Sequence, residues 1–266
     1  MDAKEIGALA DTLAAGRKSK KPMDVAGLMA NLSEADAYKV QFAVHDRFAA
    51  DGDPIAGWKV ALTLPVQYEP LKLSGPVFAG IYKSGLRQSG AAFEAGWPIK
   101  PGIEPELVAR IAKDAPGSGG AGGAAYTADS IRAYVANLYC GMEVVDNRYA
   151  DVTKMGGPAR IADNVLQAAL VTGTEIKDWQ KLDFPNLKGH SLLDGKELAK
   201  GPGSAVMGSA MISLAWLANT LNKHGKMLKA GDLVLTGSVH PPAFLPGKGV
   251  ARTEFEGLGG TEVTIR

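Results

Sequence analysis

The chain has 266 residues, of which 46% are hydrophobic and 21% charged, the profile of an ordinary globular protein with one large domain or a main domain and a small appendage. Its 29 basic and 28 acidic residues leave a formal net charge of +1, so nothing in the balance argues for a nucleic-acid or membrane-surface partner. A lone cysteine, Cys140, excludes an internal disulfide, and its setting in Leu138-Tyr139-Cys140-Gly141 reads as a buried, inert thiol. The first residues carry Asp2, Glu5 and Asp11 and lack the apolar core of a secretory signal. No apolar run approaches the length of a membrane span, and a cytoplasmic location is expected.

In chain order, Ile6, Leu9, Ala10 and Leu13 predict a helix over residues 3–15, closed by Gly16 and the basic run that follows. A second helix is expected to start near Ser33, with Asp36 as its capping partner and a buried stripe of Tyr38, Phe42, His45 and Phe48. Residues 1–54 thus read as a small helical cap. The texture then changes, and Ile55–Thr63 predicts a strand with one lysine, Lys59, inside an apolar run. On the residues alone, Lys59 is expected to snorkel to the surface, burial for a purpose being the alternative.

Residues 64–100 read as irregular, rich in proline and glycine. Asp114–Tyr126 lacks the Gly-Lys-Ser/Thr ending of a phosphate loop and predicts a flexible surface loop. A helix with the stripe Ile131, Val135, Leu138 and Tyr139, stopped by Gly141, is expected before a short strand Met142–Asp146. Val165–Thr172 predicts a buried strand, Leu193-Asp194-Gly195-Lys196 a hairpin, and Met211–His224 an amphipathic helix ending at Gly225. Leu233–Ser238 reads as a strand entering a Gly/Ser turn, and the tail pairs Val250–Phe255 with Glu262–Ile265.

The chemistry gathers around Ile103-Glu104-Pro105-Glu106-Leu107-Val108-Ala109. On a strand, side chains alternate, so Glu104 and Glu106 point the same way. Two like charges on one face repel and are costly to bury, and a divalent cation would offset that cost. A solvated strand face is the alternative. Glu143 is a further acid in an apolar strand.

Six segments in register resemble the 2-oxo acid hydratase and decarboxylase branch of the fumarylacetoacetate hydrolase superfamily. They are Gly57–Thr63, Ile103–Leu107, Glu143–Tyr149, Ile161–Asn164, Trp216–Asn219 and Ala230–Ser238, covering most of the chain from residue 55 on. The resemblance implies an α+β fold with a mixed β-roll catalytic core over 55–266 behind the helical cap. It implies that Glu104, Glu106 and Glu143 hold one Mg²⁺ or Mn²⁺, hard ions suited to oxygen ligands. Lys59 would be a proton-transfer group or a partner for the substrate carboxylate. Thr236, Gly237 and Ser238 would bring backbone N–H groups and a hydroxyl to the substrate, against the alternative of a plain strand-ending turn. Asp163 is implied as a further substrate group, with turn and cap chemistry as the alternative reading for it and Asn164.

The branch also implies a small 2-oxo or 2-hydroxy-dienoate acid as substrate and a homo-oligomeric assembly, which could pair with another enzyme of its pathway. The leading expectation is a metal-dependent hydratase acting on a 2-hydroxy-2,4-dienoate from meta-cleavage of aromatic compounds. Decarboxylation of a 2-oxo-enedioate, hydrolysis of an acylpyruvate C–C bond and a non-catalytic partner subunit are the alternatives. The chain departs from the branch at Gly75-Pro76-Val77-Phe78-Ala79-Gly80, where hydratases often carry an acid, and at Gly208-Ser209-Ala210, where Gly-His-Pro is frequent. The first departure is closer to the decarboxylases. For the hydrolase reading His45 is poorly placed on a helix face, while His240, just past the Thr-Gly-Ser turn, is the better pocket candidate.

Overall fold

The computed structural model describes residues 1–117 and 124–266. Residues 118–123, the middle of the glycine-rich loop expected at Asp114–Tyr126, therefore lie outside the described residues. In chain order the named elements are α1 (Ala3–Ser19), α2 (Glu34–Ala50), β1 (Ile55–Ala61), α3 (Tyr68–Leu71), β2 (Val77–Tyr82), β3 (Leu86–Gln88), β4 (Ala91–Phe93), β5 (Pro101–Ile111) and β6 (Val135–Asp146). They continue as α4 (Gly157–Ala162), β7 (Gln167–Glu175), β8 (Lys188–Leu193), β9 (Lys196–Pro202), α5 (Ala210–Lys223), β10 (Leu233–Ser238), β11 (Ala243–Phe244), β12 (Gly249–Phe255) and β13 (Gly259–Ile265).

Local chemistry sets the helix ends. Asp2 and Glu5 close a reciprocal capping box at the start of α1, each backbone N–H donating to the other's carboxylate at 2.8 Å. The helix runs past Gly16 to Ser19, so Gly16 is not its stop. A Cβ there would sit 1.9 Å from Met23 Sδ, and the glycine makes room for the returning chain. Ser33 caps α2 as expected, accepting from the Asp36 N–H at 3.1 Å.

Two sheets carry the fold. The eight-stranded mixed sheet runs β2-β1-β10-β5-β6-β7-β3, with β11 added beside β5, and a five-stranded sheet runs β4-β13-β12-β8-β9. Ile103, Met142, Val144 and Val171 of the large sheet meet Phe93, Ala251 and Val263 in one buried cluster between the sheets. A larger cluster joins α1, α2, α4 and α5 to the rest of the core through residues such as Leu13, Val44, Phe78, Ile161 and Leu217. The hairpin at Leu193–Lys196 forms with Asp194 and Gly195 both at positive φ, 49° and 78°, as a tight two-residue turn demands.

Three stretches differ from their sequence reading. The helix expected across Ile131–Tyr139 is a 3-10 turn, Ser130–Tyr134, followed by the long strand β6. Pairing on both sides, with β5 and β7, outweighs a helical spacing in a segment rich in β-branched and aromatic residues. The stretch read as irregular contains β2, all six of whose residues are buried, antiparallel to β1. Gly80 within it is needed for close approach, since a Cβ would lie 2.5 Å from Ile55 and 2.8 Å from His45. Gly203–Lys223 reaches the length and mean hydropathy (1.3) of a membrane span, contrary to expectation. Its α-helical part, α5, is only 14 residues long, however, against the roughly 20 a bilayer needs, and it buries Met211, Leu214, Leu217 and Leu221 in the core.

Candidate metal centre and its cavity

The site lies on one face of the large sheet. Glu104 and Glu106 share that face of β5, and the β5–β6 register sets Glu143 directly opposite Glu104. Lys59 enters from β1 through the register Lys59–Leu235 and Leu235–Val108, which keeps it on the same face. Each carboxylate offers an oxygen, and these oxygens lie within 4.8 Å of one another. Exposures are 8% for Glu104, 1% for Glu106, 1% for Glu143 and 1% for Lys59, so the lysine is buried rather than snorkelling.

Lys59 Nζ donates to Glu143 Oε1 at 2.5 Å and to the Val165 carbonyl at 2.9 Å. The Gly237 N–H donates to Glu106 Oε2 at 2.6 Å. Three carboxylates therefore share one buried ammonium. Burial holds all three carboxyls above the usual range, and for Glu104 and Glu106 the Glu143 charge adds to the effect, with Lys59 opposing it. Closely spaced hard oxygen donors with surplus negative charge are what a divalent cation requires, so the residues present fit Mg²⁺ or Mn²⁺.

The surroundings explain this geometry. β10 carries an irregularity between Leu235 and Ser238, with Gly237 at φ 113°, a conformation that turns its N–H onto Glu106. The Lys59 acceptor comes from Asn164–Leu166, three consecutive residues at φ 61°, 50° and 59°. Asn164 locks this turn, accepting from His45 Nε2 at 2.8 Å and the Gly80 N–H at 3.0 Å while donating to the Gly80 carbonyl at 2.7 Å. His45 is thus a buried structural residue.

The triad and Lys59 open into a cavity of about 250 Å³. Ser238 lines it, with its hydroxyl donating to the His240 carbonyl at 2.6 Å. Thr236 is fully buried and donates to the Leu107 carbonyl at 3.0 Å, a strand-fixing contact rather than a cavity-facing one. Asp163 is not brought to the cavity. It is fully buried against Arg148, 2.7 Å away, and Arg17, 3.6 Å away, two guanidiniums converging on its carboxylate while Asp146 lies 3.9 Å from Arg148. His240 does line the cavity, but both its ring nitrogens are engaged, with the Pro241 carbonyl at 2.6 Å and Ser191 Oγ at 3.1 Å. Arg160, Leu64, Val165 and Leu166 also line the cavity and were not singled out from the sequence. A lone arginine in a Gly-Pro-Ala-Arg stretch carries no spacing signal. Cys140 is buried, and burial pushes its thiol up to about 12.

Comparison with known proteins agrees with this architecture. The chain is 27% identical over 229 residues to the 2-keto-4-pentenoate hydratase of Burkholderia vietnamiensis, covering 86% of this chain and 85% of that protein. It is 30% identical over 208 residues to the 2-hydroxyhexa-2,4-dienoate hydratase of Comamonas testosteroni, covering 77% and 76%. The solved 4-oxalocrotonate decarboxylase from Pseudomonas putida G7, complexed with magnesium and adipate, matches over 100% of this chain and 99% of its own at 22% identity with a TM-score of 0.90, a likeness of fold. The family model for the fumarylacetoacetate (FAA) hydrolase C-terminal region matches residues 86–266, more than half of the chain and the part that carries all three carboxylates. The chain belongs to the fumarylacetoacetate hydrolase family.

Proposed function

We propose that the protein is a divalent-metal-dependent lyase that adds water to a 2-hydroxy-2,4-dienoate, giving a 4-hydroxy-2-oxo acid. The observation that carries this reading is the buried set of Glu104, Glu106, Glu143 and Lys59 at the wall of one small cavity. Relatives named hydratases across most of the chain support it. Glu104, Glu106 and Glu143 would hold Mg²⁺ or Mn²⁺, which when bound supplies Lewis-acid stabilisation of negative charge on the substrate's 2-oxygen.

The chain's own residues do the rest. An ammonium has three N–H donors, and Lys59 directs its Nζ to Glu143 and Val165, leaving one for substrate. Lys59 Nζ gives that third proton to carbon as the 2-oxygen becomes a ketone, and the amine so formed takes up the proton leaving the 2-hydroxyl, which restores the ammonium. Gly237 N–H holds the Glu106 carboxylate in place, and the Ser238 hydroxyl is the polar group beside the acid end. Leu64, Val165 and Leu166 surround the carbon chain and exclude bulk water.

Decarboxylation of a 2-oxo-enedioate is the second reading, favoured by the absence of an acid in the β2 stretch from Gly75 to Gly80. The deciding experiment incubates the Mg²⁺-loaded protein separately with a 2-hydroxy-2,4-dienoate and a 2-oxo-enedioate, following dienol absorbance and CO₂. Loss of the dienol with formation of the 4-hydroxy-2-oxo acid and no gas is the expected result. CO₂ release without net hydration overturns it in favour of the second reading. A protein that binds no divalent cation, alone or with pyruvate, would be a non-catalytic subunit.

A further inference from the structure

The cavity contains a cation that the reaction above does not use. Arg160, on α4, lines the same cavity as the triad, half-buried. Its Nε donates to the Met155 carbonyl at 3.1 Å, which fixes the guanidinium, and its terminal nitrogens have no acceptor among the described residues. The inner arginines Arg17 and Arg148 behave differently, both directed at Asp163. Among the described residues no carboxylate pairs with Arg160. The guanidinium enters the wall from α4 and the carboxylates from β5 and β6, and Leu62, Leu64 and Leu166 provide apolar lining of the shared cavity.

A partly desolvated guanidinium with free donors is a fork for a carboxylate. At about 250 Å³ the space falls below that of a drug-sized ligand pocket, roughly 300–1,000 Å³, and suits a small acid. We infer that the substrate is a diacid, a dienoate whose far end carries a second carboxylate held by Arg160. This rests on the reading of the triad as the site of the 1-carboxylate and 2-oxygen. It also bears on the chemistry. In a 2-oxo-enedioate the carboxylate lost as CO₂ is the far one, since its bonding electrons flow through the conjugated system to the 2-oxygen. A guanidinium paired to that carboxylate favours the anion over neutral CO₂ and so opposes its loss. Arg160 is a specificity residue for a diacid that keeps both carboxylates.

The test uses unreactive probes on the Mg²⁺-loaded full chain, 2-oxoadipate against 2-oxohexanoate, with affinities measured by calorimetry for wild type, Arg160→Met and Arg160→Lys. Wild type should bind 2-oxoadipate roughly tenfold to a hundredfold more tightly. Arg160→Met should lose that preference with 2-oxohexanoate affinity unchanged, which also shows that the variant is folded. Arg160→Lys should recover part of it. Equal affinities in wild type, a preference that survives Arg160→Met, or an equal loss for both acids in a variant that melts like wild type would overturn the inference. If wild type binds neither acid in the presence of Mg²⁺, the reading of the triad fails and the inference fails with it.

Discussion

His45 gives the most direct test of how the site is held together. It is buried between α2 and the Asn164 turn, with the rings of Trp58 and Tyr82 edge-on. Burial lowers its pKa from 6.5 to about 4, with the Arg17 and Lys226 charges adding to the effect and the Asn164 hydrogen bond opposing it. Between those two values the unfolded chain takes up a proton that the folded chain does not. Stability from this residue is therefore complete above pH 6.5 and falls as the pH drops towards 4. Going from pH 7.5 to 5.0, the linkage amounts to about 2 kcal/mol at 1.36 kcal/mol per pKa unit. His45→Gln can still donate to Asn164 Oδ1 but does not titrate. Urea unfolding of the metal-free proteins at the two pH values should show wild type losing about 2 kcal/mol more than the variant. Contributions from the raised carboxyls of the triad have the opposite sign and are common to both proteins. A variant that loses as much as wild type would refute the assignment of His45 as a neutral residue locked onto the turn.

Three further outcomes follow from the same geometry. Mg²⁺ at a hundred times its Kd should stabilise wild type by about 2.7 kcal/mol in thermal unfolding. Glu106→Gln should abolish that gain, and a retained shift would remove Glu106 from the metal set. Lys59→Met should keep metal-dependent stabilisation while turnover of the dienoate falls by a factor of about 10² to 10⁴; undiminished turnover would exclude Lys59 as the proton carrier. At Gly237 a Cβ would meet Thr63 Cγ2 at 2.8 Å and Val206 Cγ1 at 3.0 Å, on a backbone at φ 113°. Gly237→Ala should therefore destabilise by about 1–3 kcal/mol and weaken Mg²⁺ binding by disturbing the N–H on Glu106. Wild-type unfolding midpoints and metal affinity in that variant would show that the turn is not a constraint.

The carboxylate pair was legible in the sequence because a period of two in an apolar strand leaves little choice about where Glu104 and Glu106 point. That Glu143 joins them depends on β6 pairing in register with β5, which a single sequence does not display; only the ordered segments suggested it. Lys59 shows the same boundary from the other side. Its neighbours fit either a snorkelling or a buried lysine, and only the sheet, bringing Glu143 from 84 residues away, decides for burial. The stretch Ile131–Tyr139 spaces its apolar residues like a helix and is a turn and strand because neighbours on both sides pair with it. Asp163 carries an ordinary turn signal, and nothing local reveals that Arg17 from the first helix and Arg148 from just past the end of β6 both claim its carboxylate. Arg160 is a single charge with no pattern around it, visible only once the cavity exists.

The three left-handed residues from Asn164 to Leu166 carry a cost. An L-residue in that region gives up about 1–2 kcal/mol, and Val165, branched at Cβ, is among the least suited. The segment is held like a bent spring, with His45 and Gly80 as the catch on Asn164. Released, it would relax towards ordinary backbone and carry the Val165 carbonyl off Lys59. Glycine at position 165 or 166 would adopt the left-handed backbone without that cost and leave the carbonyl on Lys59, whereas a change at Asn164 would open the catch and with it free the anchor that aims the lysine.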